Sequence, residues 1–185
     1  MKNILTISIG SDIIEILTGI NFPLKMVDQV YNFDPQKRKL ESIKFISSNE
    51  PVFQGHFPGL KLWPGVYTIE GLRQSIIILR TLQFLNEQDL VNEVILLQKN
   101  KRNLSRAVQY NDSKILSFLK EYFPSKRYLT NTRVKLIAPV YSESIMKYEV
   151  SQSSIDDLNF NVTAFVNDRI VATGSIGFRE KKESK

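Results

Sequence analysis

Between Val66 and Leu85 the apolar residues Ile69, Leu72, Ile76, Leu79, Leu82 and Phe84 recur at roughly helical spacing. Ile77 and Ile78 widen the stripe, so the helix predicted here is apolar around most of its circumference and should be buried on most sides. Its conspicuous polar members in the first two turns are Glu70, Arg73 and Gln74. Near the N-terminus, Asp12-Ile13-Ile14-Glu15 reads as a capping box opening a short helix that ends near Gly19. Lys25 to Phe33 and Leu40 to Ser47 are strand-like and flank an Asp34-Pro35-Gln36-Lys37 turn, which predicts a hairpin.

The C-terminal third is strand-like throughout. Tyr128 to Ile137, Ile145 to Ser151, Asn159 to Val166 and Ile170 to Phe178 are predicted strands, with Asn167-Asp168 turning between the last two. Asn86 to Lys126 fits neither pattern cleanly. It holds a short apolar patch at Val91 to Gln98 and an amphipathic helical pattern over Ser113 to Phe123 closed by Pro124, and it reads as an insertion. The order of helix, hairpin, long helix, insertion and antiparallel strands predicts an α+β domain with one helix packed on a curved sheet. Residues 1–185 are read as a single domain, with 86–126 inserted and 180–185 a disordered charged tail.

Composition narrows the chemistry. Hydrophobic residues make up 42% and charged residues 24%, as in a globular chain with a real core. There is no cysteine, which excludes disulfides, thiolate nucleophiles and cysteine metal sites. With one histidine, a His-rich metal site is excluded as well. The N-terminal MKNILTISIGSDIIEIL does not read as a signal peptide, and no apolar run approaches the ~18 residues of a membrane span. A cytoplasmic protein is expected. The net charge of +6 suits an acidic partner, and equally plain solubility. Lys99 to Arg106 is rich in basic residues but lacks interleaved aromatics, so no nucleic-acid role is expected.

The candidate chemistry lies in FQGHFPGLKLWPGVYTIEGLRQ, Phe53 to Gln74. Gly55 and Gly59 flank His56-Phe57-Pro58, so the backbone there is tightly shaped and outside any ladder. Pro64-Gly65 precedes the long helix, whose first N–H groups and dipole would polarise a carbonyl oxygen. His56 reads either as structural or as a base. Glu70 reads either as an ion-paired glutamate, with Arg73 or Lys61 as partner, or as a carboxyl desolvated among Val66, Ile69 and Leu72 and suited to hold and donate a proton. A neutral histidine beside such an acid can remove a proton α to a carbonyl while a β-hydroxyl leaves as water.

The run Asn49-Glu50-Pro51-Val52-Phe53-Gln54-Gly55-His56-Phe57-Pro58-Gly59, followed by Pro64-Gly65-Val66 and Ile69-Glu70 through Gln74, resembles the FabZ-type 3-hydroxyacyl-acyl carrier protein dehydratases. The resemblance extends upstream through Ile14 to Leu17 and Phe22 to Val30, and downstream through Arg133-Val134-Lys135 and Ala138-Pro139-Val140 into the last hairpin. It implies a hot-dog fold, a long helix wrapped by an antiparallel sheet. It implies a homodimer, often built into a trimer of dimers, with His56 from one subunit facing Glu70 of the other. Gly65 would bind the thioester oxygen, and Phe57, Val66, Trp63, Gln74 and Arg73 would line the substrate. No cofactor is implied: the substrate arrives on the phosphopantetheine of acyl carrier protein, in fatty acid or related lipid biosynthesis. Lys99, Lys101, Arg102, Arg106, Arg133 and Lys135 are the candidates for docking that acidic carrier, and the run from Lys99 to Arg106 reads equally as a solvated surface loop.

The chain departs from that pattern in three places. Lys61 stands where a proline is usual, and Gly71 and Arg73 where small residues are usual; Gly71 reads as a mild change. Arg73 does not, because a guanidinium on a buried helix must find a carboxylate, water or the acyl tunnel. Thr18 to Pro23 replaces a Pro-His-Arg-Tyr-Pro-like segment, and 86–126 is longer than the family's link. The alternatives are a non-catalytic acyl-binding or heterodimer scaffold, a dehydratase/isomerase, which typically carries aspartate at the position of Glu70, and, further off, a thioesterase.

Overall fold

Strand alternation and helix periodicity both translate directly into tertiary packing. In the computed structural model, which describes residues 8–101, 119, 128–152 and 158–180, seven strands form one antiparallel sheet in the order β1-β2-β3-β5-β6-β7-β4. The strands are β1 (Ile9–Gly10), β2 (Gln29–Asp34), β3 (Lys39–Ile46), β4 (Tyr128–Leu136), β5 (Ser144–Gln152), β6 (Asn159–Val166) and β7 (Arg169–Glu180). Among the described residues three helices of more than one turn accompany them: α1 (Ser11–Thr18), α2 (Gly65–Glu87) and α3 (Val91–Lys101). α2 lies against β3, β5 and β6 and touches α1, the helix-in-sheet arrangement of a hot-dog fold.

Alternate residues of the central strands point at α2: Leu40, Ser42, Lys44 and Ile46 on β3, Met146, Tyr148 and Val150 on β5, Phe160, Val162 and Ala164 on β6. They meet Leu72, Ile76, Leu79 and Leu82 of the helix, all fully buried. Burial at about 25 cal/mol per Å² makes this layer the main source of stability. Two buried hydroxyls on this face are paired: Ser75 donates to the Gly71 carbonyl and bonds Ser42 Oγ, each at 2.8 Å.

The two predicted turns are as expected. Asp34 Oδ1 accepts the N–H groups of Gln36 and Lys37, both at 3.0 Å, and closes the β2–β3 turn. Asn167 and Asp168 both take positive φ, 49° and 60°, as a tight hairpin requires.

Four expectations need correction. The first helix does end at Gly19, whose φ of 66° makes the left-handed cap, but it begins at Ser11 with Gly10 as N-cap and no side-chain cap bond, so Asp12 is not a cap. The strand expected from Lys25 starts only at Gln29, because the preceding residues are engaged elsewhere: Lys25 with Ser11 and Glu15, and Met26 N–H with Gln74. The insertion read from Asn86 is in part core structure: α2 runs to Glu87, and α3 buries Val94 and Leu97 while Gln98 Oε1 accepts the Gly10 N–H at 2.9 Å. Glu180, read as the start of the tail, pairs with Tyr128 at the end of β7. The pattern at 113–123 lies outside the described residues apart from Leu119, as do Arg102, Arg106, the side chains of Lys99 and Lys101, and residues 181–185.

Candidate active site

His56 is held by its local chain. A short 3-10 turn, Pro51–Gln54, leads into Gly55, and the His56 N–H donates to the Val52 carbonyl at 3.0 Å. Phe57 and Leu60 exchange backbone bonds of 2.8 and 2.9 Å, closing the Gly/Pro loop on itself. The loop is tethered to the sheet at its start: Glu50 meets Lys44 of β3 at 2.9 Å, and the same ammonium reaches Asp28 at 3.2 Å.

The imidazole Nδ1 lies 2.9 Å from the Leu62 carbonyl oxygen. A carbonyl only accepts, so the proton sits on Nδ1, and in the neutral ring Nε2 carries the lone pair. Sequence reasoning missed Leu62, because the partner is a backbone group set by the loop's path. Phe57 stacks on the imidazole with ring centroids 4.3 Å apart.

Beside His56 opens a cavity of about 300 Å³. Its walls are Leu62, Trp63, Gly65 and Thr68 on one side, and 136–140 with Val171 on the other. Gly65 begins α2, with Pro64 as N-cap, so its N–H belongs to the turn whose donors the helix leaves unpaired. A Cβ at position 65 would come within 2.2 Å of Leu136 Cδ1, the tip of a half-exposed side chain that would have to shift. Trp63 is fixed edge-on between Phe53 and Tyr67, with ring centroids 6.1 and 5.3 Å away. Of the expected substrate residues, Trp63 and Gly65 thus share the cavity with His56. The stretch 136–140 and Val171 come from distant sequence; Ala138-Pro139-Val140 carried the family resemblance, but nothing in the letters placed them beside His56.

Glu70 is not in that cavity. Its carboxylate forms a two-pronged ion pair with Arg73, Nε to Oε2 at 2.7 Å and Nη2 to Oε1 at 2.6 Å. The ion pair with Arg73 that one reading of Glu70 expected is present in the chain. Helical spacing explains it: residues three apart share a face. The Glu70 hydrogen bond holds the Arg73 guanidinium above its ordinary range, against the opposing pull of burial.

Gln74 is firmly held. It is 1% exposed and donates to Glu70 Oε1 at 2.7 Å and the Leu24 carbonyl at 2.6 Å, while its own oxygen accepts the Met26 N–H at 2.8 Å. These bonds brace α2 against the segment that precedes β2. Val66 is 67% exposed on the outer side of the helix start and, like Phe57, is outside the cavity lining. Arg133 and Lys135 are exposed on β4, immediately before the cavity-lining Leu136. No group of three or more metal-ligating side chains occurs among the described residues.

The chain is similar to several known proteins. A dehydratase FabZ acting on 3-hydroxyacyl-[acyl-carrier-protein] from Wolbachia is 41% identical over 88 residues, 48% of this chain and 57% of its own length. The corresponding protein of Anaeromyxobacter is 42% identical over 73 residues, 40% of this chain and 45% of its own length. The chain thus spans about half the length of the curated relatives it matches. Among solved structures, the dehydratase heterocomplex ApeI:P from Xenorhabdus doucetiae shares the fold at a TM-score of 0.58 with 12% identity, covering 92% of this chain and 91% of that one. A sigma28-regulated virulence protein from Campylobacter jejuni does so at 0.50 with 11% identity, covering 95% and 94%. The FabA-like domain model matches residues 20–175, nearly the whole described fold, and the chain belongs to the FabA-like family.

Proposed function

We propose that this protein dehydrates 3-hydroxyacyl thioesters carried on acyl carrier protein to trans-2-enoyl thioesters, in fatty acid or related lipid biosynthesis. The observation that carries the reading is the His56 imidazole, with Nδ1 committed to the Leu62 carbonyl, at a cavity that opens on the N-terminus of α2. His56 Nε2 removes the α-proton. The Gly65 N–H and the helix dipole steady the charge that develops on the thioester oxygen. Glu70 delivers a proton to the β-hydroxyl, which leaves as water. These steps need no cofactor.

The cavity of one chain contains His56 but not Glu70, which supports a dimer that brings the partner's carboxyl to the imidazole. Phe22, Leu24, Phe57, Leu60 and Val66 are large exposed apolar residues that a second copy would cover. A net charge of +6, with Arg133 and Lys135 exposed beside Leu136, suits an acidic carrier, whose binding should weaken steeply with salt. No described helix is long and apolar enough to cross a membrane, and the reading places the reaction in the cytoplasm.

The test is turnover of a 3-hydroxyacyl thioester, followed by the appearance of the conjugated enoyl product. His56→Ala and Glu70→Gln should each lower kcat by about 100-fold or more while the oligomer stays intact. Full activity in either variant refutes the assigned roles. One observation favours a second reading, an acyl-binding scaffold within a heterodimer: Glu70 is already engaged by Arg73. Binding of the thioester without enoyl product would select it.

A further inference from the structure

Glu70 is drawn along its own helix. Its bonds run to side chains three and four residues further on, at 73 and 74, and so lead away from Gly65, where the cavity opens. A fork gripping both oxygens fixes a carboxylate in place and in orientation. A carboxylate held this way, with both oxygens engaged, cannot turn toward a leaving hydroxyl. Of its two donors, Gln74 is locked by Leu24 and Met26 and cannot swing. Arg73 can, because its side chain is 33% exposed and no other bond holds its guanidinium among those the structure shows.

We propose that Arg73 is a positioning residue that latches Glu70 in a resting ion pair, and that turnover requires the latch to open. The inference rests on the dehydratase reading for its consequence in turnover, but the latch itself is a property of the chain. With the fork open, Glu70 takes a proton from water and passes it to the β-hydroxyl as the C–O bond breaks. The α-proton stays on His56 until solvent removes it, so no net proton is gained or lost. With its side chains 33% and 26% exposed, the pair is only partly screened by solvent, and opening it slows the reaction by about three- to tenfold.

The experiment uses the full chain, with Arg73→Ala and Arg73→Lys, and Arg73→Gln should alanine fail to fold. Steady-state kinetics are read with 3-hydroxybutyryl-pantetheine. The NMR signal of the Arg73 Nε–H is followed in the unsubstituted protein with and without the same thioester. The latch predicts that kcat rises roughly three- to tenfold in Arg73→Ala, with KM little changed and a smaller rise in Arg73→Lys, which keeps the charge but not the fork. It also predicts an Nε–H signal protected from exchange in the free protein and lost on thioester binding. A kcat that falls or stays level in Arg73→Ala overturns the proposal, as does a signal unmoved by saturating thioester. If no form turns over but the Arg73 signal responds as expected, the dehydratase reading fails and the latch stands.

Discussion

Gly71→Ala tests the packing of α2 on the sheet. A Cβ at position 71 would lie 2.2 Å from the Tyr148 hydroxyl oxygen, 2.3 Å from Cζ and 2.8 Å from Cε2. The obstacle is the rigid end of an aromatic ring, not a flexible tip. Tyr148 is fully buried on β5 and flanked in register by Ser42 and Ala164, with Ser42 tied to Ser75 of the helix. Forcing a methyl into such a site costs about 3 kcal/mol, the upper end for overpacking. Alanine in place of glycine inside a helix returns about 1 kcal/mol. The net expectation is a loss of ~2 kcal/mol, read as a lower urea midpoint at constant slope and a Tm drop of roughly 4–8 °C. In a Tyr148→Leu background the ring is gone, and Gly71→Ala should cost little or nothing, a coupling of ~2 kcal/mol in the double-mutant cycle. A midpoint for Gly71→Ala at or above that of the unsubstituted protein refutes the argument, as does the same penalty in both backgrounds.

Other perturbations probe separate parts of the structure. The buried Tyr148 hydroxyl has no hydrogen-bond partner among the described residues, and burial pushes the phenol far above its ordinary range, so Tyr148→Phe should be neutral or up to about 1 kcal/mol stabilising by urea denaturation. A clear loss of stability would disprove that the hydroxyl lacks a partner. Lys44→Met leaves Asp28 and Glu50 facing each other without their cation and should cost ~2–3 kcal/mol, less than for a fully buried pair, because both carboxylates are partly exposed. An unchanged urea midpoint would refute the tether it provides to the His56 loop. Asp34→Ala removes the acceptor of two turn N–H groups and should cost ~1 kcal/mol at neutral pH. The Lys37 backbone N–H, the largest cause, holds the Asp34 carboxyl below its usual 3.8, so its contribution is complete above that value and is lost as pH falls through the lower folded value. The stability gap between Asp34→Ala and the unsubstituted protein should therefore shrink in acid, and a gap that widens would refute the linkage.

Much of the fold was legible because its signals are local. The long apolar stripe gave α2 to within two residues at either end, and Asn159 to Val166 was read with the bounds the strand has. Gly19 and the Asp34 turn carried their own backbone chemistry. The His56 loop was legible as a motif, glycines and prolines around one imidazole, and the cavity beside it followed. What failed depended on distant partners. Met26 and Gln74 are far apart in sequence, and their bond delays the start of β2. Gly71 read as a mild change until the ring of Tyr148 lay against it.

The sequence by itself determined the periodicities, the turns, the absence of thiol chemistry and the pairing of a lone histidine with a glycine-led helix start. These are properties of neighbouring residues, and neighbours are what a chain specifies without folding. Tertiary structure decided which nitrogen of His56 is free, because the Leu62 carbonyl reaches the other one. It also laid Arg73 and Gln74 across the Glu70 carboxylate. Such choices turn on ångström distances between groups that the letters leave unmeasured, and hydrogen bonds and ion pairs change strength within that range.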